Sequence, residues 1–172
     1  MDQVSLDRLS LVQPTLAART MQLEKDLGFE IRVTQGKRST AEQRAIWIQG
    51  RGDLASVNQL RSEVGMPPIT DAQNKVVTHA PPGHSWHEYG LAVDVVPMTP
   101  VPDWNESHPT WKTIVAKARE NGLLDGVGFN DEPHLQPIEL PVSPTPTYVA
   151  AMDLPVQDIW KMAGIPDPAV SV

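Results

Sequence analysis

Cysteine is absent from the 172 residues. Disulfides, a thiol nucleophile and a cysteine zinc site are therefore excluded, and the fold gains nothing from an oxidising compartment. Residues Met1 to Arg8 also lack a basic region followed by an apolar run. No signal peptide and no transmembrane span is expected. Positive charge is scarce, with a formal net charge of -7. Nucleic acid favours a basic surface, so it is not an expected partner. Broad electrostatic adsorption to an anionic polymer is disfavoured for the same reason. No internal repeat or low-complexity run is present.

What is there suits one domain with a real core. Pro14 to Leu27 reads as a helix, with proline near its first turn and Leu16, Thr20, Leu23 and Leu27 on one face. Gly28 stops it, and Phe29 to Thr34 alternates as a strand. Ser39-Thr40-Ala41-Glu42 is a capping box that opens a helix to about Gln49. A further helix is expected within Ala55 to Val64. Ala92 to Val96 reads as a strand bounded by Pro97. A helix starts at Ser107-His108-Pro109, with Trp111, Ile114, Val115 and Ala118 as its core stripe and Gly122 as its end. After a proline-rich stretch, short helices are expected around Tyr148 to Met152 and Pro155 to Ala163. The predicted class is α+β: a small antiparallel sheet backed by helices on one side.

The chemistry concentrates in two runs. Ser85-Trp86-His87-Glu88-Tyr89-Gly90-Leu91-Ala92-Val93-Asp94 sets a histidine and an aspartate seven residues apart, leading into an apolar strand. A carboxylate there is expensive to bury unless it is paired or bound to a metal. Small Gly90 and Ala92 leave room for His87 to fold back beside Asp94. Asp131-Glu132-Pro133-His134-Leu135-Gln136 follows, with His134 forty residues after Asp94. His87, Asp94 and His134 form a three-ligand set, and three protein ligands with one open position characterise catalytic zinc. Nitrogen and oxygen donors without sulfur suit zinc, with cobalt, nickel or manganese as substitutes. Asp131 and Glu132 compete as general base: strand alternation would favour Glu132, but Pro133 disturbs that alternation.

These runs, Ser-x-His-x-x-Gly-x-Ala-x-Asp and Asp-x-Pro-His-x-Gln, resemble the signature of a zinc peptidase family. That family holds D-alanyl-D-alanine carboxypeptidases and dipeptidases, and the L-alanyl-D-glutamate endopeptidases of bacterial cell walls and phage endolysins. Gly36-Lys37-Arg38-Ser39, with Gln43 behind it, resembles the family's Gly-x-Arg-Ser-x-x-x-Gln element. The three elements stand in the family's order over roughly residues 25 to 136. The connection between Arg51 and Val77 is longer than in short members, and Leu135 stands where an aromatic is common.

The resemblance implies a Hedgehog/D-Ala-D-Ala peptidase-like fold, with a catalytic domain over residues 1-136, an insertion at about 53-75 and a proline-rich extension at 137-172 packed on the same domain. It implies zinc on His87, Asp94 and His134, with Asp131 as the base and Arg38 stabilising an oxyanion or holding a substrate carboxylate. Ser85, Gln43 and Gln136 are the implied substrate or supporting contacts. The expected substrate is a peptidoglycan stem peptide, and the Asp-x-Pro-His-x-Gln form points to the L-alanyl-D-glutamate endopeptidase branch. Rival expectations are a D,D- or L,D-carboxypeptidase and a zinc-stabilised binding module without hydrolysis. The protein is expected to be a monomer, cytoplasmic until released, acting at the cell wall or periplasm. His79, His84 and His108 read as solvated or structural. Trp86, Tyr89 and Trp104 are groove candidates, and Trp47 and Trp111 read as core.

Overall fold

A computed structural model describes residues 1–129 and 131–166. The predicted α+β class is what it shows: four antiparallel strands in the order β1-β2-β4-β3, with helices around them. The strands are β1 (Ile31–Gln35), β2 (Val93–Pro97), β3 (Leu123–Asp125) and β4 (His134–Pro137). In register, Val33 pairs with Val95 and Gln35 with Asp94 on one side of β2. On its other side Asp94 pairs with His134. The central strand thus carries a carboxylate directly opposite a histidine.

One face of the sheet is closed by α1 (Gln3–Leu9), α2 (Pro14–Leu27) and α5 (Pro109–Glu120). Leu16, Leu23 and Leu27 of α2 and Ile114 and Ala118 of α5 form one cluster with Ile31, Val33, Val93 and Val95. The predicted stripes are therefore the buried faces, as helical periodicity requires. Val115 is half-buried, at the edge of its stripe. Pro14 stands at the first helical position of α2, and Gly28 ends that helix in the left-handed conformation.

The capping box at Ser39 opens α3 (Thr40–Trp47) with both reciprocal bonds formed. The long connection after it folds as α4 (Leu54–Glu63), capped by Asp53. The stretch beyond α4 is tied down by side chains instead of strand pairing. Gln49 donates to the Gln73 carbonyl, Arg51 to the Thr78 carbonyl and Gln43 to the Ala80 carbonyl, at 2.8, 3.0 and 2.8 Å. Trp47 is half-buried instead of core, with the Arg51 guanidinium 5.1 Å from its ring centre.

Residues after β4 form α6 (Pro146–Ala150) and α7 (Val156–Ala163), near the predicted positions. They pack on a second cluster, where Leu140, Ile159 and Ile165 meet Trp86, Tyr89, Leu91 and Ala92. Trp160 donates from its indole to the Tyr89 carbonyl at 2.8 Å. The last six residues of the 137-172 extension lie outside the described residues. Among the described residues, no helix is long and apolar enough to cross a membrane.

Candidate metal centre

His87 sits in a single 3-10 turn, Trp86–Tyr89, not in an extended stretch. The turn ends at Gly90, whose φ of 63° is left-handed. A Cβ there would also lie 3.2 Å from the Leu11 carbonyl oxygen, so glycine fits on both counts. Glu88 accepts the backbone N–H of Gly83 and Ser85 at 2.9 and 3.2 Å, which fastens the approach to the turn. The reversal swings His87 back over β2, so that its Nε2 lies 3.2 Å from Asp94 Oδ1.

His134 opens β4 opposite Asp94, with Nδ1 3.7 Å from the same oxygen. The two imidazole rings meet edge to face, with centres 5.2 Å apart. One ligand atom from each of His87, Asp94 and His134 falls within 4.8 Å of the others. His87 Nδ1 is 2.9 Å from the Gly36 carbonyl oxygen. A carbonyl only accepts, so Nδ1 carries the proton and the neutral ring presents the Nε2 lone pair to the site. This donor set, two imidazoles and one carboxylate converging without sulfur, fits a zinc ion.

Electrostatics agree with that fit. Burial would push the Asp94 carboxyl up, but His87 and then His134 hold it well below the usual carboxylate range. Burial disfavours charge on His134, yet Asp94 and Asp131 outweigh it and raise that imidazole above its ordinary value. A histidine kept basic beside a firmly ionised aspartate belongs to a site organised around a cation.

Asp131 and Arg38 both line the same cleft, about 500 Å³ in volume. The Asp131–His134 stretch is a turn closed by His134 N–H on the Asp131 carbonyl at 3.1 Å, not a strand. Alternation therefore does not apply, and Glu132 is not among the cleft-lining residues. Gly126 clamps this turn: it donates to the His134 carbonyl and accepts from Asp131 N–H, at 3.0 and 3.1 Å. A Cβ at Gly126 would lie 2.9 Å from His134 Cβ, closer than real side chains come. Desolvation in the cleft and the Asp94 charge raise the Asp131 carboxyl above its ordinary value.

Arg38 is nearly buried, at 9% exposed. Its backbone N–H bonds the His87 carbonyl at 3.0 Å. Its Nη1 donates to Gln43 Oε1 at 2.7 Å, and Nη2 stands 3.9 Å from Asp94 Oδ2. Burial lowers its basicity, with Asp94 acting in opposition.

Of the expected substrate or supporting contacts, Gln43 and Gln136 stand in the supporting place. Gln43 is fully buried, and its amide is spent between Arg38 and the Ala80 carbonyl. Gln136 is fully buried too, held between His134 Nε2 and the Pro141 carbonyl at 3.0 and 2.9 Å. Neither reaches the cleft. Ser85 does line it.

Sequence reasoning passed over other cleft residues. His79 and His84 are exposed but stand in its wall, as do Val77 and Val142. A weak signal existed: His79 and His84 lie in the segment that feeds the His87 turn. Of the aromatic candidates, Trp86 lines the cleft. Tyr89 is buried behind it, and its hydroxyl, pushed up to about 12 by burial and then Glu88, donates to the Gly83 carbonyl. Trp104 lies 60% exposed outside the cleft.

Residues 11–125 match the VanY family, described as D-alanyl-D-alanine carboxypeptidase. The chain belongs to the VanY family. The matched region covers more than half of the chain and contains Arg38, His87 and Asp94; Asp131 and His134 follow it. The protein is thus a metallopeptidase of the VanY family, with His87, Asp94 and His134 as its candidate zinc site. Among solved structures it is similar to the Serratia marcescens L-Ala D-Glu endopeptidase ChiX, at 22% identity and a TM-score of 0.48, over 80% of this chain and 88% of that one. It is also similar to the vancomycin resistance D,D-pentapeptidase VanY in complex with Zn(II), at 18% identity and a TM-score of 0.48, over 87% and 83%. The LD-carboxypeptidase LdcB matches at 15% identity and a TM-score of 0.45, over 87% and 68%.

Proposed function

We propose that this VanY-family protein is a zinc peptidase that cuts stem peptides of bacterial peptidoglycan as an L-alanyl-D-glutamate endopeptidase, acting at the cell wall. The observation that carries the reading is the convergence of His87, Asp94 and His134 on a cleft also lined by Asp131 and Arg38. When bound, zinc lowers the pKa of a water to about 7 and polarises a carbonyl oxygen.

This chain's residues do the rest. Asp131 accepts the proton of the attacking water as its oxygen bonds to the scissile carbonyl carbon. It returns that proton to the leaving amine nitrogen as the carbon–nitrogen bond breaks. Its raised pKa suits both halves of that exchange. Arg38, fixed by Gln43, offers N–H donors beside Asp94 to the oxygen that gains charge in the tetrahedral intermediate. Ser85 and the apolar wall at Val77 and Val142 border the space for the peptide.

The endopeptidase form rests on the Asp-Glu-Pro-His spacing of residues 131 to 134. A second reading, removal of a terminal D-alanine, is favoured by the family description itself. Mass spectrometry of purified stem peptides digested with zinc-loaded protein separates the two. Products split between L-alanine and D-glutamate are expected. Loss of a single D-alanine would select the second reading, and intact peptides beside stoichiometric zinc would leave a binding module.

A further inference from the structure

Gln136 lies two residues after His134 on β4, so both side chains share one face of the strand. Its amide is pinned at its far end. Nε2 donates to the Pro141 carbonyl oxygen at 2.9 Å. A carbonyl oxygen cannot donate, so it accepts only the NH2 end of the amide. The end turned to His134 is therefore oxygen, 3.0 Å from His134 Nε2. That oxygen is itself only an acceptor, and it requires the proton on Nε2. The neutral ring then carries its lone pair on Nδ1, the nitrogen that faces Asp94 Oδ1.

The Pro141 oxygen is itself well fixed. It also accepts from Trp86 Nε1 at 2.9 Å, in the residue next to His87. Leu140 beside it is 5% exposed within the second core cluster, and its N–H bonds the Pro137 carbonyl. A reversed amide would turn NH2 toward His134 Nε2. It would favour the opposite tautomer, with a proton on the nitrogen aimed at the ligand set.

We infer that Gln136 is a positioning residue through which the Pro141 carbonyl, in the segment after β4, fixes His134 in its metal-binding tautomer. This rests on the zinc reading above for its consequence, but not for its geometry. His87 achieves the same end directly, with the Gly36 carbonyl as acceptor. The two histidines are thus set in opposite tautomers by two backbone oxygens, one before β2 and one after β4.

Imidazole nitrogen NMR reads the tautomer directly, in metal-free protein at a pH where His134 is neutral and again with zinc. Wild type should show the proton on Nε2 in both states. Gln136→Met should lose that preference without metal and weaken zinc binding about 10–100-fold in competition with a chelator. Gln136→Glu still offers His134 an acceptor but gives up the donor to the Pro141 carbonyl, so it should keep the tautomer and weaken zinc binding less than Gln136→Met does. A proton on Nδ1 in the metal-free wild type would overturn the inference. So would equal weakening in both variants, since packing rather than polarity would then be the cause. If Gln136→Met does not fold, the wild-type spectrum and Gln136→Glu decide by the same criteria. A wild type with the expected tautomer but no zinc affinity would remove the zinc reading and leave the relay standing.

Discussion

Asp131 works against its own surroundings. Its carboxyl is raised by desolvation and by Asp94, so the folded chain holds its proton more tightly than the unfolded chain does. The sign of the linkage follows: stability falls as pH rises through the window above the ordinary carboxylate value. Asp131→Asn should therefore raise the thermal midpoint of metal-free protein at pH 7, and the gain should vanish below pH of about 3, where both forms are neutral. The same substitution should lower turnover by about 10²–10⁴-fold with zinc retained. Loss of turnover together with lower metal-free stability at pH 7 would contradict this account. Arg38→Lys keeps a charge but gives up the planar fork that joins Gln43. It should cost about 10²–10³-fold, mainly in kcat, as a donor to a developing oxyanion does. A rise in KM with kcat unchanged would instead make Arg38 a carboxylate anchor. At this scale the three ligands were legible because their chemistry has few other uses at that spacing. The roles of Gln43 and Gln136 were not, because their far partners, Ala80 and Pro141, are backbone carbonyls with no residue-type signature.

Elements with strong periodicity or caps, such as α2, α3 and α5, could be read along the chain, since each carries its own start, stop and apolar face. The short ones could not. β3 has three residues and β4 four, too few for alternation to emerge. The turn at Trp86–Tyr89 has no signature in the sequence, because one helical turn leaves no period. α1 was passed over as well, although its cap is strong. Asp2 accepts the N–H and hydroxyl of Ser5, and it pairs with Arg32 of β1 at 2.7 Å. Those hydrogen bonds, Ser5 first and then Arg32, hold the Asp2 carboxyl down at about 2. A depressed carboxyl contributes stability that is fully present above the unfolded value and is lost as pH falls through the folded one. Asp2→Ala should lower the thermal midpoint at pH 7, and the gap from wild type should close between pH of about 4 and 2. A gap that persists at pH 2 would show that the capping geometry, not the charge, is what Asp2 contributes.

Among the described residues of the whole molecule, two apolar clusters meet at the start of β2. Val93 and Val95 belong to one, and Ala92 to the other. The class of the first was readable from the helical stripes. The second was hidden, because a proline-rich stretch with two short helices carries little pattern of its own and gains structure only against Trp86 and Tyr89. Tyr148 stacks edge-on to Trp86 with centres 4.8 Å apart, and Ile159 is 3% exposed. The residues after β4 thus brace the 3-10 turn that carries His87. Ile159→Ala should destabilise the protein by about 2–5 kcal/mol, the range for deleting a buried aliphatic side chain. Urea titration followed by fluorescence should show one transition moved to lower denaturant with its slope unchanged. An early, separate transition would mean that the C-terminal helices unfold by themselves.

The wall of the cleft at Val77 to Pro81 is held by side chains outside the sheet, with Arg51 on Thr78 and Gln43 on Ala80. The wall and the ligands are therefore carried by different segments of the chain. A library that varies residues 53 to 79, while leaving the Ala80 carbonyl where Gln43 can reach it, would explore new peptide preferences without touching the ligands. One constraint travels with that freedom. The amide that anchors the wall also steadies Arg38, so any graft that misplaces position 80 would be felt at the reacting bond.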